Sequence, residues 1–210
     1  MTYVKSAADI EKKRIRDVVR LRRELVLAAN PAAADPLAES VRISEILRTL
    51  PFWDTVRSPC IYLALPSEAP TTTILTDCFS RQLTVLAPRV SGDILTLHRI
   101  TADTPLTHGA FGILEPPAAA PVAFPVADGG VCECDCFLVP GVAFDLLGGR
   151  VGHGKGFYDR LLAQIPLSTP RVGLAWEWQI FKEVPVVKHD VRMDWIVTPE
   201  RAVHCSPGAM

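Results

Sequence analysis

Several features are missing from this sequence, and each absence removes a class of function. No apolar run reaches the length of a bilayer span, so a membrane helix is not expected. The opening MTYVKSAADIEKKR is polar from the start and has no apolar core of the kind a secretory leader carries, which points to the cytoplasm. Charge of one sign is not in excess: the formal net charge is −1, and no RNP-like aromatic strand stands out, so neither nucleic acid nor anionic lipid is an expected partner. Cys-x-x-Cys knuckles are also lacking. The six cysteines include Cys132, Cys134 and Cys136, whose period-two spacing predicts one face of a strand and small buried hydrophobes there, not a zinc site.

What remains is ordinary globular composition, 49% hydrophobic and 21% charged, over 210 residues, the size of one domain spanning 1–210. Ala7 to about Asn30 reads as an amphipathic helix with a stripe of Ile10, Val18, Leu21, Leu25 and Leu27, crowded by basic residues. Pro31 ends it, and a second helix is expected from about Pro36 to Leu50. Strand and helix signals then alternate. Cys60–Leu65, Leu83–Ala87, Cys136–Val139, Arg171–Ala175 and Trp195–Val197 read as strands, and Leu95–Ile100 as an edge strand. Thr71–Arg81 and Lys155–Ile165 read as helices, and Thr104–Gly130 as a long surface loop. The pattern predicts an α/β fold: an open, mostly parallel sheet flanked by helices, with a basic N-terminal helix. In such sheets ligands sit at the carboxyl ends of the strands.

One segment carries most of the chemistry. Gly148 to Asp159 (GGRVGHGKGFYD) follows a strand and opens a helix. Glycines permit positive φ and let N–H groups approach a ligand, while Arg150 and Lys155 add full charges, a combination suited to polyphosphate. Gly149 to Lys155 has the spacing of a Walker A loop, but Gly156 stands where that loop needs a magnesium-binding hydroxyl. Magnesium would then have to find other oxygens, and Asp159 is the nearest candidate. A hinge or tight turn is the alternative reading of the glycines.

The blocks Phe137–Asp145 (FLVPGVAFD) and Gly149–Arg160 (GRVGHGKGFYDR) together resemble the signature of the 5-formyltetrahydrofolate cyclo-ligases, also called methenyltetrahydrofolate synthetases. Weaker likenesses span nearly the whole chain: Lys12, Arg16 and Arg23 in a basic first helix, Leu63–Glu68, Pro88-Arg89, Gly112–Pro116 (GILEP), and the block from Trp176 to Asp190. The sequence departs from the pattern at Phe157, where a tyrosine is usual, and His153 occupies a position the family varies.

The resemblance implies an enzyme that closes 5-formyltetrahydrofolate, polyglutamated or not, to the 5,10-methenyl form with ATP and Mg²⁺, as a monomer. The formyl oxygen takes the γ-phosphoryl group, N10 attacks the formyl carbon, and phosphate leaves. It further implies an ATP site of Lys12, Arg16, Arg150, Gly152, His153, Gly154, Lys155, Gly156, Phe157 and Tyr158. Of these, Arg150, Lys155 and Tyr158 would be catalytic. Leu63, Glu68, Phe111, His153 and Phe157 would border the folate, and Asp159 and Asp190 would ligate magnesium. Each has a plainer alternative: a solvated helix face for Lys12 and Arg16, core packing for the aromatics, a cap or local pair with Arg160 for Asp159, and a strand approach for Asp190. Rival functions are a P-loop kinase or GTPase, a sugar-phosphate isomerase or coenzyme-A transferase relative without ATP use, and a non-catalytic folate- or nucleotide-binding module.

Overall fold

The structure is a computed structural model that describes residues 6–29, 35–109, 112–125 and 132–205. Helix α1 covers Ala7–Ala29, and α2 covers Pro36–Leu47. Asp35 starts α2 by accepting a hydrogen bond from Leu37 N at 2.9 Å, with Pro36 in the first turn where its missing N–H costs nothing. In α1 the buried face is not the expected one. Ile10, Leu21, Leu25 and Leu27 are exposed, and Ile15 and Val19 are buried, flanked by half-buried Lys12, Arg16, Arg22 and Arg23. These six recur at helical spacing, and their long stems cover apolar surface while the charged ends reach past it.

The strands are β1 (Pro59–Cys60), β2 (Val85–Ser91), β3 (Ile94–Ile100), β4 (Thr107–His108), β5 (Leu114–Glu115), β6 (Val122–Phe124) and β7 (Cys136–Val139). After these come β8 (Ala143–Asp145), β9 (Arg150–Val151), β10 (Arg171–Leu174), β11 (Ile180–Phe181), β12 (Trp195–Val197) and β13 (Ala202–His204). Helices α3 (Thr72–Ser80) and α4 (Phe157–Leu162) complete the set. The main sheet has the order β13-β12-β10-β7-β1-β2-β3-β6. Its five middle strands, β12 to β2, are parallel, as expected; β13 on one side and β3 and β6 on the other are antiparallel.

Two local expectations fail. The run Cys60–Leu65 pairs only briefly: Ile61 N–H still donates to Leu86 O at 2.8 Å, after which Tyr62 and Leu63 turn out of the sheet. The stretch from Thr104 is not plain loop, because β4 and β5 form a hairpin and β6 covers β3, which is therefore not an edge.

One core layer lies between the sheet and α2 and α3, around Ile43, Trp53, Ile74 and Leu138; the other holds Leu97, Phe137, Phe144 and Leu161. The three alternating cysteines divide between them. Cys136 belongs to the first, while Cys132 and Cys134, ahead of the strand, pack in the second with Phe137 and Val139. They do not share a strand face.

Burial pushes the Cys78 and Cys205 thiols up to about 12 from the usual 9.0, and raises the Tyr62 and Tyr158 phenols. An acid whose folded pKa is raised favours folding fully below its unfolded pKa, and that contribution is lost as pH rises toward the folded value. Stability should therefore fall progressively between pH 9 and 12. Urea midpoints at pH 8, 9.5 and 10.5 test this: a Cys78→Ala/Cys205→Ala variant should decline less steeply than the wild type, and equal slopes would acquit the thiols.

Candidate active site

Behind the glycine turn stands Asp145, at the end of β8 and 1% exposed. Its Oδ1 accepts from Leu147 N at 3.0 Å and Gly149 N at 2.7 Å, and its Oδ2 from Val184 N at 2.8 Å. One carboxylate thus satisfies three backbone donors and fixes where β9 begins. Asp145→Asn puts an N–H₂ against donors, which should cost roughly 2–3 kcal/mol at buried sites of this kind. The check is urea unfolding; a loss under about 0.5 kcal/mol would mean that water replaces the carboxylate.

Beyond β9 the chain turns through Gly154 (φ +99°) and Gly156 (φ +65°), left-handed conformations that favour glycine, and enters α4. This helix begins at Phe157, not Lys155, and is six residues long, so its dipole adds little. Nor does the turn leave the parallel sheet as a Walker A loop does: β9 pairs antiparallel with β8 in a separate three-stranded sheet. The charge comes mainly from side chains. Arg16 Nε donates to Gly152 O at 2.7 Å, which ties α1 to the turn. Arg150, 6% exposed, sends Nη2 to Asp159 Oδ1 at 2.7 Å and holds its guanidinium 5.8 Å from the Tyr158 ring centroid.

These groups line a cavity of about 450 Å³, within the usual range for small-molecule sites. It brings together Lys12, Arg16, Leu63, Glu68, Arg150, Gly152, His153, Gly154, Lys155, Gly156, Phe157, Tyr158, Asp159 and Asp190. Phe111, the remaining candidate, lies outside the described residues. Tyr62, Leu63 and Pro140 reach the cavity directly beyond the carboxyl ends of β1 and β7, as the sheet rule requires.

Lys12 is no solvated residue: its side chain is 12% exposed and ion-paired with Asp190. Asp190 Oδ2 also accepts from Val187 N at 2.8 Å, and Asp159 Oδ1 from Val191 N at 3.2 Å. Asp159 pairs with Arg150 and not with its neighbour Arg160, whose guanidinium goes to the Lys155 and Asp93 carbonyls. Asp159 Oδ2 and Asp190 Oδ1 accept no hydrogen bond among the described residues. Two spare carboxylate oxygens beside a polyphosphate-suited turn fit Mg²⁺, which takes one or two carboxylates and fills its sphere with phosphate and water.

Glu68 is 8% exposed; its Oε2 accepts from Leu65 N at 2.9 Å and its Oε1 lies 3.3 Å from His153 Nε2. Tyr158 and Phe157 both pack partly into the core, and burial keeps the Tyr158 phenol protonated. Wall residues that sequence reasoning missed include Asp9, Tyr62, Pro88, Val90, Leu95 and Glu115. Glu115 is 2% exposed, and its Oε2, 3.4 Å from Arg89 Nη1, has no hydrogen-bond partner among the described residues. An acidic residue in an apolar, proline-bounded stretch (ILEPP) was the available signal for it.

The profile of the 5-formyltetrahydrofolate cyclo-ligase family matches residues 5–199. A 5-formyltetrahydrofolate cyclo-ligase of Mycolicibacterium smegmatis is 31% identical over 153 residues, 70% of this chain and 76% of its own. A probable enzyme of that name from Schizosaccharomyces pombe is 28% identical over 180 residues, 79% of this chain and 86% of its own. Among solved structures, the 5,10-methenyltetrahydrofolate synthetase of Aquifex aeolicus superposes with a TM-score of 0.76 at 29% identity, covering 95% of each chain. With its signature blocks folded around one cavity and its length spanned by these matches, the chain belongs to the 5-formyltetrahydrofolate cyclo-ligase family.

Proposed function

We propose that this chain, as a single-domain monomer in the cytoplasm, converts 5-formyltetrahydrofolate to 5,10-methenyltetrahydrofolate, consuming ATP and releasing ADP and phosphate. The observation that carries the reading is the composition of one cavity. Cationic groups from α1 and the glycine turn share it with an apolar wall from β2, β3 and the β4–β5 hairpin, interrupted by the buried carboxylates of Glu68 and Glu115. The first set suits polyphosphate; the second suits a flat heterocycle with an N–H edge. A phosphate-binding isomerase needs only the first.

In this reading Lys12, Arg16, Arg150 and Lys155 hold the phosphates, with the backbone from Gly152 to Gly156 close against them. Phosphoryl transfer asks chiefly for alignment and charge neutralisation, which these groups supply. Glu68 and Leu63 hold the pterin, and Phe157 packs beside it. Asp159 and Asp190 would hold Mg²⁺, which when bound neutralises phosphate charge. Once the formyl oxygen carries the phosphoryl group, N10 closes the ring and phosphate departs. The apolar wall keeps water from the activated carbon during that interval.

The test is to mix the protein with 5-formyltetrahydrofolate and Mg-ATP and follow the methenyl product's near-ultraviolet absorbance. Stoichiometric ADP release with product is expected; product without ATP, or none with it, would sink the reading. In the same assay Lys155→Ala should slow turnover or raise the ATP KM by at least about tenfold, the usual consequence of losing one phosphate-directed charge. Lys155 is exposed at the head of the α4 turn, so the urea midpoint should not move. Unchanged kinetics would take Lys155 out of the site.

A further inference from the structure

Arg160 closes the block Gly149–Arg160 yet does not border the cavity. From α4 its side chain reaches back over the glycine turn. Its Nη1 donates to Lys155 O at 3.0 Å, and a Cβ at Gly156 would stand 3.0 Å from the same nitrogen. Its Nη2 donates to Asp93 O at 2.6 Å, in the short turn Gly92-Asp93 that joins β2 to β3. The guanidinium carbon also lies 5.3 Å from the centroid of the Phe157 ring, part of the cavity wall. One planar cation thus ties together the backbone of Lys155, the ring of Phe157 and the hairpin whose Pro88, Val90 and Leu95 line the cavity. Beneath it Leu161 packs in one core with Leu95 and Leu97, but apolar contact is non-directional and does not fix the offset between turn and hairpin. Two hydrogen bonds aimed from a rigid fork do.

We propose that Arg160 is a positioning residue: it sets the phosphate-binding turn against the folate-binding wall, so that the formyl oxygen and the γ-phosphate meet in line. The inference rests on reading the cavity as a site for ATP and 5-formyltetrahydrofolate. In that reading different elements hold the two substrates, the triphosphate on the turn and α1, the pterin at Glu68, Leu63 and the wall of β2 and β3. Either substrate can bind alone while the other's element is slightly displaced. Phosphoryl transfer needs both in register, and a misplacement of about 1 Å can cost on the order of a hundredfold in rate. Loss of Arg160 therefore shows in the chemical step and much less in the binding of either substrate alone. The fold has little stake in this side chain. Arg160 is exposed, its backbone N–H keeps its bond to Gly156 O at 3.1 Å, and alanine is the better helix former.

The experiment compares the wild type, Arg160→Ala and Arg160→Lys in three measurements. These are the urea midpoint, equilibrium binding of ATP and of 5-formyltetrahydrofolate separately, and single-turnover formation of the methenyl product at saturating Mg-ATP. Arg160→Ala should lower the single-turnover rate about thirtyfold, with each dissociation constant changed less than about threefold. Arg160→Lys keeps the charge and the stem, but one ammonium cannot span both carbonyls or lie flat on the ring, so its rate should stay at least about tenfold below wild type. Both midpoints should match the wild type; if that of Arg160→Ala drops, the lysine variant decides by its own rate. An alanine variant within about threefold of the wild-type rate would overturn the proposal. Full recovery in Arg160→Lys would mean that charge alone acts, at a distance, and would overturn it as well. A weakened affinity for ATP or folate with an unchanged saturated rate would make Arg160 a binding residue, with the same result. A wild type that forms no product defeats the reading of the cavity and the proposal with it, whereas a reacting wild type that Arg160→Ala matches defeats the proposal alone.

Discussion

Arg150→Met is expected to lower turnover at least about a thousandfold and to destabilise the fold by about 3 kcal/mol. Methionine keeps a long stem and removes the charge, so apolar packing around the stem largely survives. What disappears is a guanidinium that the fold has already desolvated. Its Nη2 holds Asp159, its Nη1 reaches Pro140 O only weakly at 3.5 Å, and its Nε is buried with no hydrogen-bond partner among the described residues. A buried donor left without an acceptor costs free energy, and it makes sense where an incoming phosphate oxygen supplies the acceptor. A thousandfold corresponds to about 4 kcal/mol of transition-state stabilisation, reasonable for a preorganised cation at developing charge. The stability loss comes from stranding Asp159, whose side chain is 18% exposed, which places the cost at the low end for a broken buried pair. Single-turnover rates and urea unfolding measure the two effects separately. Arg150→Lys restores charge without the planar fork and should recover the stability better than the rate. A methionine variant within tenfold of wild-type turnover would exclude Arg150 from the chemistry.

The legibility of this site in the sequence depended on what kind of signal each part leaves. The glycine turn was readable because positive φ and close approach demand glycine, and Arg150, Lys155 and Asp159 lie within the same short stretch. The parallel centre of the sheet was readable because strands buried on both faces are nearly continuous apolar runs, as in Cys136–Val139 and Arg171–Leu174. The buried face of α1 was not. Counting only aliphatics selects Ile10, Leu21 and Leu25, yet the helix turns inward the stems of Lys12, Arg16 and Arg23, which hydropathy scores as polar. Strands β4, β5 and β6 are two or three residues long, too short for any period to register amid prolines and alanines. Asp145 and Glu115 illustrate a different limit. Their work is to accept backbone N–H groups or face a cavity, and which partners converge on them is fixed only by tertiary structure.

Asp159→Asn should fall into the same class of effect and separates two jobs that meet in one side chain. Read from sequence, Asp159 is a magnesium ligand or a local partner of Arg160. The geometry changes that expectation, since Oδ1 holds Arg150 at 2.7 Å and accepts from Val191 N at 3.2 Å, while Oδ2 accepts no hydrogen bond among the described residues. Asparagine can keep its carbonyl oxygen at the Oδ1 position, but it turns an N–H₂ toward the place where a cation would sit. The ion pair becomes a weaker hydrogen bond, leaving Arg150 under-compensated at 4% side-chain exposure, for about 3 kcal/mol of stability. Metal-free ATP should then bind as well as before or better, because the freed guanidinium charge faces the phosphates without a competing carboxylate. Turnover should fall at least about a hundredfold and recover in part with excess Mg²⁺ if Oδ2 is a metal ligand. A double-mutant cycle with Arg150→Met divides the effect: coupling of about 2 kcal/mol in stability belongs to the ion pair, and the Mg²⁺-dependent remainder of the rate loss belongs to the second oxygen. If excess Mg²⁺ leaves the mutant's rate unchanged while the stability coupling is intact, Asp159 serves only to hold Arg150. The metal would then rest on Asp190, phosphate and water, and the lysine paired with Asp190 in this structure would have to give way for it.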